Sequence, residues 1–420
     1  MSGPLAGGRI LIVSNGGAED LIGAELGREL LRLAGQRGTG LEGTELELLA
    51  LPLVGAGTAY GGLARLVGKA LDLPSGGFPF GSLSNLRADL KAGLIGTSLS
   101  QGRSAWQAGG QVRQVVVVGD SFALTVGTLA ARRVAHTGPR LPLVHLQPLV
   151  SQLYGEGMGV HDHLRELNAL GANAFMPWEI ALGRRARRVY TRDAASARFL
   201  ALRGVNAVYR GSFAMDVLPA PERALDAYRD GRPLLILMPG GRGDAHESLP
   251  IMLEAAARQP EMQAVVAWPR TWADLPELPS WTLEVLDEDT ARLGGQGPPI
   301  WLLRGAFSAL LHEAQRTHGL ALGTAGTASE QAAGLGVPVV GFPTSGPQYT
   351  AGFARRQARL LGKALTITTP DAQAVAAALE WLNRQPEIYR VAASEGRERI
   401  GTAGALPQIA AELLTELLER

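Results

Sequence analysis

A glycine- and threonine-rich stretch in the second half of the chain carries the residues best suited to chemistry. Residues 319–342 read GLALGTAGTASEQAAGLGVPVVGF, which predicts a strand, a tight loop, a short helix and a second strand. The loop would place backbone N–H groups and the Glu330 carboxylate at the start of a helix. Such an end attracts phosphate, and a carboxylate can accept from both hydroxyls of a ribose diol. The stretch therefore indicates a nucleotide-sugar site. Its candidate donor-binding residues are Gly323, Thr324, Gly326, Thr327, Glu330 and Gln331.

The spacing of Thr327 and Glu330 also has a purely structural interpretation. Thr-x-x-Glu is the pattern of a capping box, in which the glutamate bonds back to the N–H of the residue that caps the helix. The ribose contact and the capping box are therefore alternatives for Glu330.

Two further loops are expected at the same edge of the sheet. Residues 234–247 predict an apolar strand, the loop Pro-Gly-Gly-Arg-Gly and a helix, and glycines allow close approach to a ligand while Arg242 could pair with a pyrophosphate. The alternative is a plain strand–helix turn capped by Asp244. Gln348, after the next strand, could bond donor-sugar hydroxyls or lie in a surface loop. The candidates added here are Gly240, Gly241, Arg242 and Gln348.

In the first half, acidic residues follow two apolar strands. Asp120 comes directly after the run 115–118, where it could act as general base on an acceptor hydroxyl or cap a helix predicted at 121–135. Glu19, after the first strand, is a second catalytic candidate or a helix cap. The acceptor-side loop is Asn15, Gly16 and Gly17. His161 and His163 have no third ligand nearby in the sequence, so no metal is expected.

Composition restricts the possible classes of protein. The 420 residues are 46% hydrophobic and 19% charged, and cysteine is absent, which excludes disulfides, thiolate catalysis and cysteine-based zinc sites. The sequence has neither a signal-peptide pattern nor a run of about 18 apolar residues. We therefore expect a cytoplasmic protein, or one peripheral on the inner face of a membrane.

Charge is unevenly divided along the chain. Residues 1–215 contain 22 Lys and Arg against 15 Asp and Glu, and the remainder contains 18 against 24. The basic half could face anionic lipid, although solvated helix faces would give the same count. Nucleic acid is not expected as a partner, because aromatics are only 5% and are not interleaved with the basic residues.

Alternating strand and helix patterns predict two doubly wound, Rossmann-like α/β domains facing a cleft, with ligands at the carboxyl ends of the strands. Predicted strands lie at 9–14, 46–51, 115–118, 143–146, 188–191, 234–238, 264–268, 300–303, 320–322 and 337–342. Predicted helices lie at 19–34, 121–135, 193–203, 247–258, 306–315 and 328–335. The predicted organisation is an acceptor domain at 1–216, a linker at 217–232, a donor domain at 233–385, and C-terminal helices at 386–420 that pack back toward the first domain.

Seven short motifs in consistent order span nearly the whole chain. They are SNGGAED (14–20), MPWE (176–179), VYTRD (189–193), RGSFAMD (210–216), MPGGR (238–242), GTAGTASEQ (323–331) and GPQY (346–349). Together they resemble the lipid-A-disaccharide synthase-related proteins, a branch of the GT-B glycosyltransferases. The resemblance implies inverting, metal-independent transfer of an N-acetylglucosamine-type sugar from a UDP-sugar to a lipid or lipid-linked acceptor. It implies no cofactor beyond the UDP-sugar co-substrate.

The first motif departs from the family pattern. Gly17 stands where the family has a histidine, which leaves room for a bulkier acceptor and leaves two other functions open. One is a UDP-sugar 2-epimerase of the same fold, which would need further acid–base residues. The other is a non-catalytic nucleotide-sugar-binding protein.

Overall fold

The computed structural model describes residues 8–36, 46–68, 94–159, 161, 174–240, 243–295, 297–346 and 349–418. The chain divides into two compact units. The first unit comprises Met1–Val217 and Ala403–Arg420, and the second comprises Leu218–Thr402.

The first unit is built on a seven-stranded sheet in which every pair of neighbours is parallel. The spatial order is β3-β2-β1-β4-β5-β6-β7. The strands are β1 (Arg9–Ser14), β2 (Glu47–Pro52), β3 (Arg65–Leu66), β4 (Gln114–Val118), β5 (Leu141–Gln147), β6 (Ala186–Thr191) and β7 (Ala207–Val208). The helices are α1 (Ala18–Gln36), α2 (Leu94–Gly109), α3 (Ser121–Ala131), α4 (Pro177–Arg185), α5 (Ala194–Ala201) and α6 (Phe213–Asp216). Short 3-10 helices lie at Thr58–Tyr60 and Gln152–Gly155.

The second unit is built on an eight-stranded sheet with order β10-β11-β12-β9-β8-β13-β14-β15. Its strands are β8 (Leu234–Met238), β9 (Gln263–Ala267), β10 (Thr282–Val285), β11 (Thr290–Gly295), β12 (Gly297–Leu303), β13 (Leu320–Gly323), β14 (Val339–Gly341) and β15 (Leu365–Ile367). Its helices are α7 (Ala245–Ala257), α8 (Phe307–Arg316), α9 (Gly326–Leu335), α10 (Ala351–Leu361), α11 (Ala372–Asn383) and α12 (Pro386–Ile400). Its 3-10 helices are Asp226–Tyr228, Trp272–Asp274 and Gly362–Ala364.

Both faces of β1 are buried, which explains its continuous apolar sequence. Ile10 and Ile12 pack on one face in a core shared with Leu26 of α1. Leu11 and Val13 pack on the other face in a core that includes α2 and α3. Alternate residues thus serve two helical layers, as in a doubly wound fold.

The last helix, α13 (Ala405–Leu418), belongs to the first unit, whereas α12 belongs to the second. Leu406 and Ile409 of α13 join the core around α1. The Asp216 carboxylate accepts from the backbone N–H of Leu406 at 2.8 Å, and Glu412 accepts from the Tyr190 hydroxyl at 2.6 Å. Helix α13 is therefore held in the first unit by the Asp216 carboxylate, by its apolar face and by the Tyr190 hydroxyl.

One edge of the second sheet contains antiparallel strands, which the predicted series of strands and helices did not include. Strands β10 and β11 pair antiparallel, as do β11 and β12. Every residue of β10 is exposed, so this strand lacks the apolar run on which the strand predictions relied. The helix predicted at 121–135 ends four residues earlier, at Ala131.

Candidate functional site

Three predicted donor loops follow neighbouring strands of the second sheet. Strand β13 pairs parallel with β8 on one side and with β14 on the other. The carboxyl ends of parallel strands meet at the same edge, so three groups of described residues lie there together: 239–240 with 243–244, then 324–327, then 342–346 with 349–350. We call these groups the first, second and third donor loops.

Thr324 joins the first two donor loops directly. Its backbone N–H donates to the Met238 carbonyl at 3.1 Å, and its hydroxyl donates to the Pro239 carbonyl at 3.2 Å. The residue is only 2% exposed, so its side chain holds the loops and does not project outward. Gly240 has φ 82°, a left-handed backbone conformation that favours glycine at this position.

Helix α9 begins at Gly326, and Ala325 occupies its N-cap position. Thr327 therefore lies inside the first turn, so the capping-box alternative for Thr327 and Glu330 is wrong: Thr327 is not the capping residue. Glu330 follows within the second turn and is partly buried. Its ribose contact stays a prediction.

The third donor loop is tied to the start of α7. Asp244 stands at the N-cap position of α7 without a side-chain capping bond. Instead, its carboxylate accepts from the Thr344 hydroxyl at 2.5 Å and from the Tyr349 N–H at 3.0 Å. Glu247 accepts from both the N–H and the hydroxyl of Ser345. Asp244 thus stands at the N-cap position that the alternative interpretation gave it, but its side chain links two loops and makes no capping bond to the helix.

The remaining donor candidates have varied positions. Gly323 ends β13, where a Cβ would lie 2.8 Å from the Met238 methyl carbon. Gln331 is 5% exposed on α9. Gly241, Arg242 and Gln348 lie outside the described residues.

In the first unit, Asp120 lies at the carboxyl end of β4 and caps α3. Its carboxylate accepts from the N–H groups of Phe122 at 2.9 Å and Ala123 at 3.2 Å, so the capping interpretation is confirmed. Burial raises the pKa of Asp120, while these amides and the Asn15 side chain act in the opposite direction. A carboxylate with a raised pKa at a strand end remains compatible with the predicted role as base.

Glu179, which the sequence did not single out as catalytic, lies near Asp120. It is in the first turn of α4 and only 5% exposed, and Gln147, at the end of β5, donates to its carboxyl oxygen Oε1. Burial raises the pKa of Glu179 to about 7, and the charge of Asp120 adds to the increase. Glutamates are mostly exposed, so the sequence signal that could have marked Glu179 is its place in the MPWE motif.

His145 and Gly119 hold the backbone immediately before Asp120. The His145 Nε2 lies 2.9 Å from the Gly119 carbonyl oxygen. Burial lowers the pKa of His145 to about 4, so the ring is neutral at neutral pH and Nε2–H donates to this carbonyl. Gly119 has φ 147°, and a Cβ there would lie 2.5 Å from the Asn15 Oδ1. Glycine is therefore required beside Asn15.

Within the acceptor-side loop, Asn15 is buried and Gly17 is exposed. Asn15 is 5% exposed. Gly16 has φ 118°, and a Cβ there would lie 2.6 Å from the Val54 carbonyl oxygen. Gly17 has φ 56°, and a Cβ there would meet no atom of the described residues within 4 Å. Among the described residues, a Cβ at Gly17 would therefore meet no steric obstacle.

The buried acid of this loop is Asp20, the neighbour of the candidate Glu19. Asp20 is 5% exposed and accepts from the Ser14 hydroxyl at 2.6 Å, and Ser14 in turn accepts from Tyr60 at 2.8 Å. Burial raises the pKa of Asp20 to about 6. Glu19 lies in the first turn of α1 and is partly buried; its catalytic role stays a prediction.

Comparison of the sequence with protein-family models and with curated proteins gives no match. Among solved structures, the S. aureus MnaA–UDP complex matches at 14% identity over 98% of both chains, with TM-score 0.57. The UDP-GlcNAc 2-epimerase from Neisseria meningitidis bound to UDP-GlcNAc matches at 14% identity over 97% of this chain and 100% of that one, with TM-score 0.54. The calicheamicin glycosyltransferase CalG4 matches at 18% identity over 98% and 99%, with TM-score 0.57.

These structural similarities establish the fold of the chain. The chain has the GT-B fold. The predicted pair of Rossmann-like domains is thereby confirmed, since the two α/β sheets of this chain match structures of that fold. The neighbours include epimerases and glycosyltransferases, and none points specifically to lipid-A-disaccharide synthase.

Two negative findings apply to the described part of the chain. Within those ranges, no helix is long and apolar enough to cross a membrane. Among the same residues, no group of three His, Asp or Glu side chains is arranged to hold a metal ion.

Proposed function

We propose that the protein is an enzyme that acts on a UDP-sugar. The observation that carries this proposal is the pair formed by Asp120 and Glu179, two carboxyl groups at the carboxyl edge of the first sheet with raised pKa values. The pKa of Glu179 is raised to about 7, and a carboxyl group that titrates near neutral pH is suited to proton transfer. The similarity to UDP-sugar enzymes of the GT-B fold supports the same choice.

The second unit would bind the UDP moiety. In this proposal the backbone amides at the start of α9 face the diphosphate, and Glu330 accepts from the ribose hydroxyls. Arg242 would offset the charge of the leaving UDP, and Gln348 would contact the sugar. The joining of the donor loops through Thr324 and Asp244 supports a common site.

The first candidate reaction is glycosyl transfer to a lipid or lipid-linked acceptor. Asp120 would take the proton of the acceptor hydroxyl as that oxygen attacks the anomeric carbon, and UDP would leave from the opposite side with inversion. Stabilising the diphosphate is then the main electrostatic task. The resemblance to lipid-A-disaccharide synthase-related proteins and the open space at Gly17 favour this reaction.

The second candidate reaction is 2-epimerisation of the UDP-sugar. Inverting a carbon centre by proton transfer requires one group that removes a proton and another that returns one. Glu179 beside Asp120 provides a second group that can exchange a proton. On sequence grounds an epimerase required such a further acid–base residue, and none had been found.

One experiment distinguishes the candidates. The protein is incubated in D₂O with UDP-GlcNAc, with and without a lipid extract, and UDP release and the mass of the sugar are followed. Transfer predicts UDP release only with the extract and no deuterium at C2. Epimerisation predicts deuterium at C2 without the extract, because the C2–H bond is broken and re-formed. UDP binding without either change would indicate a binding protein, and failure to bind UDP would contradict the whole proposal.

We also propose that α2 faces an anionic membrane. Leu99 and Trp106 are 72% and 44% exposed, and with Arg103 they occupy one stripe of the helix at spacings of four and three residues. Arg133 lies over the Trp106 ring at 5.1 Å. We call these four residues the arginine–tryptophan surface. Exposed apolar side chains among arginines suit lipid headgroups.

A further inference from the structure

Tyr349 and Gln357 form a buried hydrogen-bonded relay in the second unit. The Tyr349 hydroxyl donates to the Gln357 Oε1 at 2.7 Å, and the Gln357 Nε2 donates to the Gly326 carbonyl at 2.7 Å. The two side chains are 1% and 2% exposed. The relay thus runs from the third donor loop to the first residue of α9.

The direction of each bond in the relay is fixed. The Gly326 carbonyl can only accept, so the amide nitrogen of Gln357 must face it. The amide oxygen then faces Tyr349, whose hydroxyl must donate. Burial raises the pKa of Tyr349, so this hydroxyl keeps its proton across the physiological range.

The Phe353 ring also packs against the start of α9. A Cβ at Gly326 would lie 2.8 Å from the Phe353 Cζ, so the ring rests directly on the glycine. The Phe353 ring also packs against Tyr349, with centroids 5.4 Å apart. Helix α10, which carries both Phe353 and Gln357, therefore clamps the second donor loop.

The backbone of Tyr349 contacts the first donor loop. Its backbone N–H donates to the Asp244 carboxylate at 3.0 Å, and Asp244 is 2% exposed at the start of α7. A single residue thus bonds toward Asp244 through its backbone and toward Gly326 through its side chain. All three donor loops are linked through it.

We propose that Tyr349 and Gln357 are positioning residues that hold the three donor loops in the arrangement that binds the UDP diphosphate. This inference rests on the proposed function, because it concerns the same donor site. Neither side chain would touch the ligand. Their effect on affinity comes from pre-organisation: loops already held in the bound arrangement lose less conformational freedom on binding.

The test compares UDP affinity, measured by calorimetry, across four proteins. They are the wild type, Tyr349→Phe, Gln357→Leu and the matched control Tyr389→Phe. The Tyr389 hydroxyl also donates to a glycine carbonyl, that of Gly319 at 3.1 Å, but at the opposite end of β13 from the donor loops. The control therefore removes the same kind of bond from the same unit, and thermal unfolding of each protein reports its effect on stability.

We expect UDP to bind Tyr349→Phe about tenfold more weakly than the wild type, which corresponds to the loss of one buried hydrogen bond. Gln357→Leu removes both bonds of the relay and should weaken UDP binding by at least the same factor. Tyr389→Phe should bind UDP as the wild type does, even where its melting temperature falls. The double variant should lose little more affinity than Gln357→Leu alone, because that variant already removes both bonds of the relay.

Three outcomes would overturn the inference. Wild-type affinity in both relay variants would refute it and leave the proposed function intact. An equal loss of affinity in Tyr389→Phe would show that binding merely follows stability. Failure of the wild type to bind UDP would remove the donor site itself and the role of the relay with it.

Discussion

Asp120 and Glu179 lie close enough in the first unit for the charge of one carboxylate to raise the pKa of the other. Asp120 follows β4, and Glu179 is in the first turn of α4. Burial is the larger cause of the raised pKa of Glu179, and the charge of Asp120 adds to it. Like charges in a partly dry site disfavour double ionisation, so the pair tends to retain a proton near neutral pH.

The raised pKa of Glu179 predicts a pH-dependent gain in stability for Glu179→Gln. The pKa rises from its usual 4.5 to about 7 on folding, so the wild type loses stability as pH rises through this window, while a glutamine does not titrate. Relative to the wild type, the variant should gain up to about 3 kcal/mol between pH 4.5 and pH 8. Urea unfolding of the wild type and Glu179→Gln between pH 4.5 and pH 8 measures this difference in the free energy of unfolding.

The Asp120→Asn background is the control for that measurement. Removing the charge of Asp120 should lower the pKa of Glu179, so the gain from Glu179→Gln should shrink there. Stability curves for Glu179→Gln and the wild type that run parallel with pH would contradict the raised pKa.

Asp120→Asn should abolish most catalysis without unfolding the protein. Asparagine is as good an N-cap as aspartate, so α3 should keep its capping bonds while the base is lost. We expect the rate of UDP release, or of deuterium incorporation at C2, to fall by about 10²- to 10⁴-fold, with UDP affinity unchanged.

Asp193→Asn is the matched variant for this prediction. Asp193 caps α5 after β6 and accepts from the Ser196 N–H at 2.7 Å, so it has the same structural role on the same sheet. Its variant should retain activity. Equal activity losses in both variants would assign Asp120 a capping role only.

Gly16 and Gly17 should differ in their tolerance of a side chain. Gly17→Ala meets no atom of the described residues within 4 Å. It should lower the free energy of unfolding by about 1 kcal/mol, because alanine disfavours the left-handed φ at this position. Gly16→Ala adds a contact with the Val54 carbonyl at 2.6 Å and should cost about 3 kcal/mol. Urea unfolding of the two variants measures the difference. Gly17→His should fold like Gly17→Ala, and equal costs at both positions would contradict the loop geometry.

The arginine–tryptophan surface should bind anionic vesicles. We expect Trp106→Ala to bind phosphatidylglycerol vesicles more weakly in a sedimentation assay. Arg133→Ala should lower the affinity for these vesicles about fivefold, because one basic side chain near an anionic surface contributes about 1 kcal/mol. Binding should also fall with added salt. Trp381, equally exposed at 44% on α11 of the second unit, is the matched control, and equal losses in Trp381→Ala would refute a specific surface on α2.

The buried strands and the layered α/β fold were readable from sequence because they are local patterns. A parallel strand covered on both faces must be apolar throughout, and β1, β4, β8 and β13 are such runs. The hairpin β10–β11 was missed because its exposed strand has no such run. The capping-box alternative for Glu330 was wrong because the Thr-x-x-Glu spacing does not determine the first residue of a helix.

The sequence by itself determined that small residues and Glu330 follow one buried strand and that Asp120 follows another, since strand, loop and helix succeed one another within a few residues. Only the tertiary structure placed Glu179 beside Asp120, and Gln357 against Gly326. These pairs lie on separate elements of the chain, and the burial that raises a pKa or fixes an amide comes from side chains brought in by other elements. Proximity and desolvation belong to the packed fold, so no local spacing could have revealed them.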